Sequence, residues 1–247
     1  MGDLVSFRML LIGASEQDCA LWRQGAALAS VPVDFSGLDA PLAPRALAKG
    51  DVDICVLDGD MPDTYKAIVI AAARAVKPTP LVFVSAANRS ARSDGTDGML
   101  AKPTCLDDAR KLAEVCIRTK IPTRVLIVDD SGTMRSIVRK ILAASRFPLD
   151  VYDAAEGIDA LNQLRNGTFG MVFLDYNMPG LNGFETLSEI KRESPNVAVV
   201  MMTSTVDNAI ADRAHAAGAL AFLKKPFFPS HIDAVLERYY GLHIPTG

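Results

Sequence analysis

Cysteine is scarce in this 247-residue chain: Cys19, Cys55, Cys105 and Cys116 all fall in the first half, with no Cys-x-x-Cys pair. That speaks against a disulfide framework or a thiolate zinc site and fits reduced, mostly buried thiols. Histidine is scarcer still. His215, His231 and His243 have no mutual metal-ligand spacing and read as surface or helix-end residues. No apolar run reaches the ~18 residues of a membrane span, and the N-terminus lacks the charged-then-apolar order of a secretory signal. The expectation is a cytoplasmic protein with no membrane partner. Nor does one sign of charge dominate: residues 1–122 hold 14 Lys/Arg against 15 Asp/Glu and residues 123–247 hold 12 against 14, net −3 overall. Without a basic stripe to track phosphates, nucleic acid is not an expected partner.

Apolar residues make up 49% of the chain and charged residues 22%, an ordinary globular balance, and the length suits two modest domains. Short apolar strands alternate with helical patterns, and the series runs twice. In the first copy the strands are Phe7–Ile12, Val31–Phe35, Asp53–Leu57, Leu81–Val84 and Met99–Ala101. Helices are expected up to Ala29, over Pro41–Lys49, from Thr64 to before Lys77-Pro78, and from a Thr104 cap to Arg118, with a polar loop over Asn88–Gly98. Pro122 marks a linker over 119–123. In the second copy the strands are Val125–Val128, Leu149–Tyr152, Val172–Asp175, Val197–Met202 and Leu220–Leu223. Its helices are expected over Thr133–Ser145, Glu156–Asn166 (closed by Gly167), Asn182–Arg192, Val206–Ala217 (closed by Gly218) and Ser230–Tyr240. Strands this apolar are buried on both faces, which predicts two tandem (βα)5 doubly wound parallel-sheet domains, over residues 1–118 and 124–247.

The ends of the second copy's strands carry the chemistry. Asp129 and Asp130 follow the first strand, Asp175 ends the third, Thr203 ends the fourth and Lys225 follows the fifth. In an open parallel sheet these ends converge on one edge, where ligands bind. Three crowded carboxylates repel one another unless a hard cation joins them, and Mg²⁺ or Mn²⁺ suits an oxygen donor set.

With its V-D-D, F-L-D-Y-N-M-P-G, M-M-T-S and F-L-K-K-P-F segments, the stretch 124–241 resembles a receiver domain of bacterial two-component response regulators. The resemblance implies that Asp175 accepts a phosphoryl group from a sensor histidine kinase or histidine phosphotransfer protein. It implies that Asp129, Asp130, Asp175 and the backbone carbonyl of Asn177 hold Mg²⁺. It gives Thr203, Lys225 and Phe222, three residues before the lysine, the roles of switch hydroxyl, phosphoryl partner and switch aromatic. Flavodoxin-like topology and pairing into a homodimer are further implications of the same resemblance.

The first copy departs where the chemistry sits. Gly13 and Ala14 replace the acidic pair and Met99 replaces the aromatic, while Asp58, Ser85 and Lys102 remain as a degenerate site. The hydroxyl-to-lysine separation is 102 − 85 = 17 residues against 225 − 203 = 22, so the fourth helix is expected to be missing. This reads as a pseudo-receiver. Only seven residues follow Tyr240, so the whole is read as a regulator without a DNA-binding or enzymatic output domain, catalysing no reaction but its own phosphorylation and dephosphorylation. It would signal by protein contact or phosphorelay. The alternatives are an adaptor or dimerisation module, a phosphate sink, or an aspartate-nucleophile phosphatase. The last is suggested by Leu57-Asp58-Gly59-Asp60 and opposed by Pro62 and Asn177.

Overall fold

Strands that are apolar at every position have no face to offer water, and the chain solves this twice by sandwiching each sheet between helices. The computed structural model describes residues 6–88, 94–204 and 208–242. They fall into two compact units. Unit 1 runs β1 (Phe7–Ile12), α1 (Glu16–Ala27), β2 (Val33–Leu38), a 3-10 turn (Ala40–Leu42) and α2 (Ala43–Leu47), then β3 (Ile54–Asp58), α3 (Asp63–Ala75), β4 (Leu81–Ala86), β5 (Gly98–Ala101) and α4 (Leu106–Arg118). Unit 2 runs β6 (Thr123–Val128), α5 (Gly132–Ala143), β7 (Leu149–Ala154), α6 (Gly157–Asn166) and β8 (Met171–Asp175), then α7 (Gly183–Glu193), β9 (Ala198–Thr203), α8 (Asn208–Ala216), β10 (Ala221–Lys224) and α9 (Pro229–Tyr240).

Both sheets are parallel throughout and share one strand order, β2-β1-β3-β4-β5 in unit 1 and β7-β6-β8-β9-β10 in unit 2. The order reverses between the first and third strands, which opens a crevice at the carboxyl edge of the sheet. Asp58 and Asp175 end the central strands β3 and β8, whose five residues are buried throughout. Helix starts follow local signals: Ser15, Ser131 and Asn182 cap α1, α5 and α7 with side-chain oxygens, Asn182 in a capping box with Glu185.

Several local expectations change. Thr104 does not cap α4; its hydroxyl donates to Asp108 Oδ2 at 2.7 Å, and Cys105 stands at the cap. Gly167 ends α6 in an extended rather than left-handed conformation, whereas Gly218, after α8, is left-handed at φ +91°. Residues 206 and 207 of the expected helix and 89–93 of the expected polar loop lie outside the described residues. Residues 240–242 group with unit 1: the Met99 amide donates to the Leu242 carbonyl at 3.1 Å. Unit 2 spans Ile121–Tyr239.

The connection between β4 and β5 carries no helix among its described residues, and side chains fasten it instead. The Asp97 amide donates to the Val82 carbonyl at 2.7 Å, and the Val82 amide donates back to Asp97 Oδ2 at 2.6 Å. The same carboxylate accepts from Arg74 at 2.8 Å, while Arg74 also donates to the carbonyls of Pro80 and Gly95. A buried main-chain donor thus depends on one side chain. Asp97→Ala strands that donor and is expected to cost unit 1 about 2–3 kcal/mol. The chain's one tryptophan, Trp22, is buried in α1, so its fluorescence in a urea titration reads unit 1 directly. An unchanged midpoint would refute the role given to Asp97.

Candidate functional site

At the carboxyl edge of unit 2 the side chains expected to converge do so. Asp129 and Asp175 are buried, Asp130 is exposed, and one carboxylate oxygen from each lies within 4.8 Å of the others. Lys225 Nζ donates to Asp129 Oδ2 at 2.6 Å and to Asp175 Oδ1 at 2.9 Å. The other oxygen of Asp129 accepts the Ser131 amide at 2.9 Å, and the Arg135 guanidinium holds the Asp129 carbonyl at 2.6 Å. Thr203 is fully buried at the end of β9, and its carbonyl accepts the Lys225 amide at 2.7 Å. Phe222 pairs with Met201 across the sheet and packs half-buried against the core.

Burial pushes Asp175 above the ordinary carboxylate value, and the Lys225 ammonium only partly offsets this. Burial alone would lower Lys225, but its bonds to Asp129 and Asp175 outweigh that and hold the ammonium above its usual value. Three carboxylates face a single ammonium, so the site keeps an excess of negative charge. An all-oxygen donor set with that excess fits a hard divalent cation such as Mg²⁺ or Mn²⁺. The backbone is shaped for the purpose: a Cβ on Gly183 would lie 2.1 Å from the Asp175 carbonyl oxygen, so only glycine lets α7 start against the carboxylate's own strand end. Beside the carboxylates opens a cleft of about 460 Å³, walled by Met134, Ile137 and Ile141 of α5 and by Pro226 and Phe227.

The equivalent edge of unit 1 is built differently. The backbone bonds fix the correspondence: Gly59 donates to Ser85 where Tyr176 donates to Met202, and Lys102 donates to Ala86 where Lys225 donates to Thr203. Ala86, and not Ser85, therefore stands in the place of Thr203, and the hydroxyl is lost as well as the acidic pair. Ser85 lies one residue earlier and turns its hydroxyl to the Ala101 carbonyl at 3.4 Å. Gly13, in the place of Asp129, is left-handed at φ +76° and lies against Met61. Lys102 Nζ lies 3.2 Å from each of Asp18, Asp58 and Asp60. Lys66, eight residues after Asp58 as Gly183 is after Asp175, is buried and donates to the Gly59 carbonyl at 2.8 Å.

Sequence reading missed Asp18, Lys66, Ala86 and the apolar cleft. Asp18 was findable, because Ser15-x-x-Asp18 has the spacing of a helix start and puts a carboxylate in the first turn above the sheet edge.

Comparison with known proteins agrees with this geometry. The family described as "Response regulator receiver domain" matches residues 125–237. The chain is 33% identical over 119 residues to "Chemotaxis protein CheY-3" of Vibrio cholerae, covering 47% of this chain and 91% of that protein. It is 28% identical over 138 residues to "Cyclic di-GMP phosphodiesterase response regulator RpfG" of Xanthomonas campestris pv. campestris, covering 55% of this chain and 36% of that protein. Among solved structures, Vibrio cholerae chemotaxis protein CheY4 is 29% identical with a TM-score of 0.44, over 48% of this chain and 99% of that one.

The raised pKa of Asp175 has a consequence for stability. Ionising a carboxyl whose folded value exceeds its unfolded one costs the folded state. That cost is absent below the unfolded value of about 3.9, grows as pH rises toward the folded value, and is constant above it. Asp175→Asn removes the cost, so in metal-free buffer the variant is expected to unfold at higher urea than the parent at neutral pH, by a margin that closes as pH falls to the unfolded value. Far-UV circular dichroism at several pH values checks it. A variant less stable than the parent at neutral pH would contradict the account.

Proposed function

This chain belongs to the response regulator receiver family, and on that premise we propose that Asp175 accepts a phosphoryl group from the phosphohistidine of a sensor kinase or histidine phosphotransfer protein. The observation that carries the reading is the convergence of Asp129, Asp130, Asp175 and Lys225 on one sheet edge, with two of the carboxylates buried and an apolar cleft alongside. An Asp175 oxygen forms the new bond to phosphorus while the phosphorus–nitrogen bond breaks and the imidazole leaves. A carboxylate is a weak nucleophile, so placement and charge control must carry the transfer.

Each residue then has a task. Asp129, Asp130, Asp175 and the Asn177 carbonyl are the groups that would hold Mg²⁺, which supplies charge neutralisation between carboxylate and phosphoryl oxygens. The Lys225 ammonium, already on Asp175, is placed to pair with the phosphoryl group as a point charge. The Thr203 hydroxyl would donate to another phosphoryl oxygen, and its movement would give Phe222 room to turn further inward. That is a local charge event biasing a two-state element. The wall of Met134, Ile137 and Ile141 would receive an apolar helix face of the donor protein and bring its phosphohistidine to Asp175. Output is then through protein contact or onward phosphotransfer, and unit 1 takes no phosphoryl group.

Labelling with acetyl phosphate tests the chemistry: Asp175→Asn is expected to abolish it and Asp58→Asn to leave it intact. Label retained by Asp175→Asn would reject the assignment. Ile137 is 44% exposed, so Ile137→Asp is expected to fold. This variant should slow transfer from a phosphorylated donor protein at least tenfold, about the 1.4 kcal/mol that a lost apolar contact supplies. Acetyl phosphate labelling should remain as in the parent. Equal slowing with both donors would place the defect in the chemistry and reject the docking role.

A further inference from the structure

The carboxyl edge of unit 1 lacks the acidic pair of unit 2, yet three carboxylates converge there around Lys102. Asp58 comes from the end of β3, Asp60 from the loop after it, and Asp18 from the first turn of α1. The capping bonds equate the two helix starts: Asp18 donates its amide to Ser15 Oγ at 3.1 Å, as Met134 does to Ser131 Oγ at 3.3 Å. Asp18 therefore occupies the position that in unit 2 belongs to Met134 and lines the apolar cleft. Where unit 2 has an acidic pair on the strand end and an apolar helix, unit 1 has Gly13 and Ala14 on the strand end and its carboxylate one helical turn away.

The three carboxylates of unit 1 share one partner. Lys102 Nζ lies 3.2 Å from an oxygen of each. Two of them are further fixed: Asp18 Oδ2 accepts the Ser15 hydroxyl at 2.8 Å, and Asp58 Oδ1 accepts the Asp60 amide at 2.8 Å. In unit 2, by contrast, Lys225 engages two carboxylates among the described residues, Asp129 and Asp175. An ammonium on three carboxylates from three segments does for unit 1 what a bound cation does for a metal site. It neutralises crowded charge and ties the segments together.

We propose that Lys102 is the resident cation of unit 1. Its ammonium, the counterpart of Lys225, neutralises Asp18, Asp58 and Asp60 as a divalent ion would neutralise the carboxylates of a phosphorylatable receiver, and unit 1 is thereby made independent of metal. The disagreement between the donor set of unit 1 and the metal its family implies then has a physical reason: the cation is covalently part of the chain. The ammonium that a phosphoryl group on Asp58 would require is already committed three times over. This extends the reading of unit 1 as unphosphorylated, and it can fail while the role of Asp175 stands.

The test uses the full chain carrying Asp130→Ala, so that the second site is quiet, and follows unfolding of unit 1 by Trp22 fluorescence. With Lys102 in place, Mn²⁺ or Mg²⁺ at millimolar concentration is expected to leave the midpoint unmoved. Lys102→Met should lower the midpoint in chelator, where three carboxylates repel without a counter-ion. Mn²⁺ should then raise it by about 5 °C, the size expected for a small domain when ligand exceeds its dissociation constant several-fold. Adding Asp18→Asn should remove that response. A Lys102→Met chain indifferent to Mn²⁺ overturns the proposal, and so does a midpoint that rises with Mn²⁺ while Lys102 is present. If Lys102→Met does not fold, Lys102→Gln keeps the side-chain length without the charge and carries the same comparison. Failure of both to fold in chelator and recovery of either in Mn²⁺ would support the proposal, and failure in both conditions would overturn it.

Discussion

A lysine ammonium set among carboxylates at the carboxyl edge of a parallel sheet is the interaction around which both halves are arranged. The topology forces the convergence, since strands that all point one way deliver their terminal side chains to one rim. Like charges brought together there repel, and only a cation makes the arrangement tolerable. Unit 2 engages two of its three carboxylates with Lys225 and retains surplus negative charge. Unit 1 engages all three with Lys102, whose bonds to Asp60, Asp18 and Asp58 outweigh the burial that would otherwise lower its pKa. The same cation thus serves two ends, according to how many carboxylates reach it.

That difference depends on small features of the chain nearby. In unit 2, Gly183 lets α7 begin against the Asp175 carbonyl, and Asn182 and Glu185 secure the helix start reciprocally. In unit 1, α3 begins five residues after Asp58, where α7 begins eight after Asp175, and the buried Lys66 reaches back to the Gly59 carbonyl. The core beneath is indifferent to these changes. Cys55, Val56 and Leu57 are as fully buried as Val172, Phe173 and Leu174, so the sheet forms whatever its rim carries. Folding and chemistry are specified by different parts of each strand.

The separation explains what could be read from the letters. The strands and the tandem repeat were legible because buried parallel strands are continuous apolar runs closed by glycine, proline or a single polar residue, whereas the topology came only from the resemblance to receivers. Asp129, Asp130, Asp175, Thr203 and Lys225 were legible because each stands one or two residues beyond such a run. Ser85 misled for the same reason. It is the first polar residue after an apolar run, yet that run is one residue shorter than in unit 2 while the pairing register is the same, as the bonds from Gly59 to Ser85 and from Lys102 to Ala86 show. Asp18 escaped although Ser15-x-x-Asp18 has the spacing of a helix start, because that spacing puts a carboxylate in the first turn without saying which side chains it meets. The apolar wall of α5 escaped because Met134, Ile137 and Ile141 at helical spacing look the same whether they face a core or an open cleft.

The packing around Gly13 and Ala86 bears on which residues the rim of unit 1 can carry. An acidic pair can be regained by two substitutions, but at Gly13 the backbone is left-handed and a Cβ would press on Met61 Sδ at 2.8 Å. At the neighbouring strand end, a Cβ on Gly59 would lie 2.4 Å from the Ala86 Cβ, so Gly59 takes no side chain while Ala86 keeps its place. A carboxylate at Gly13 thus meets both an unfavourable backbone conformation and an occupied neighbour. Giving unit 1 an acidic pair is therefore a repacking problem as well as a charge problem, because its rim is fitted to the small residues it carries.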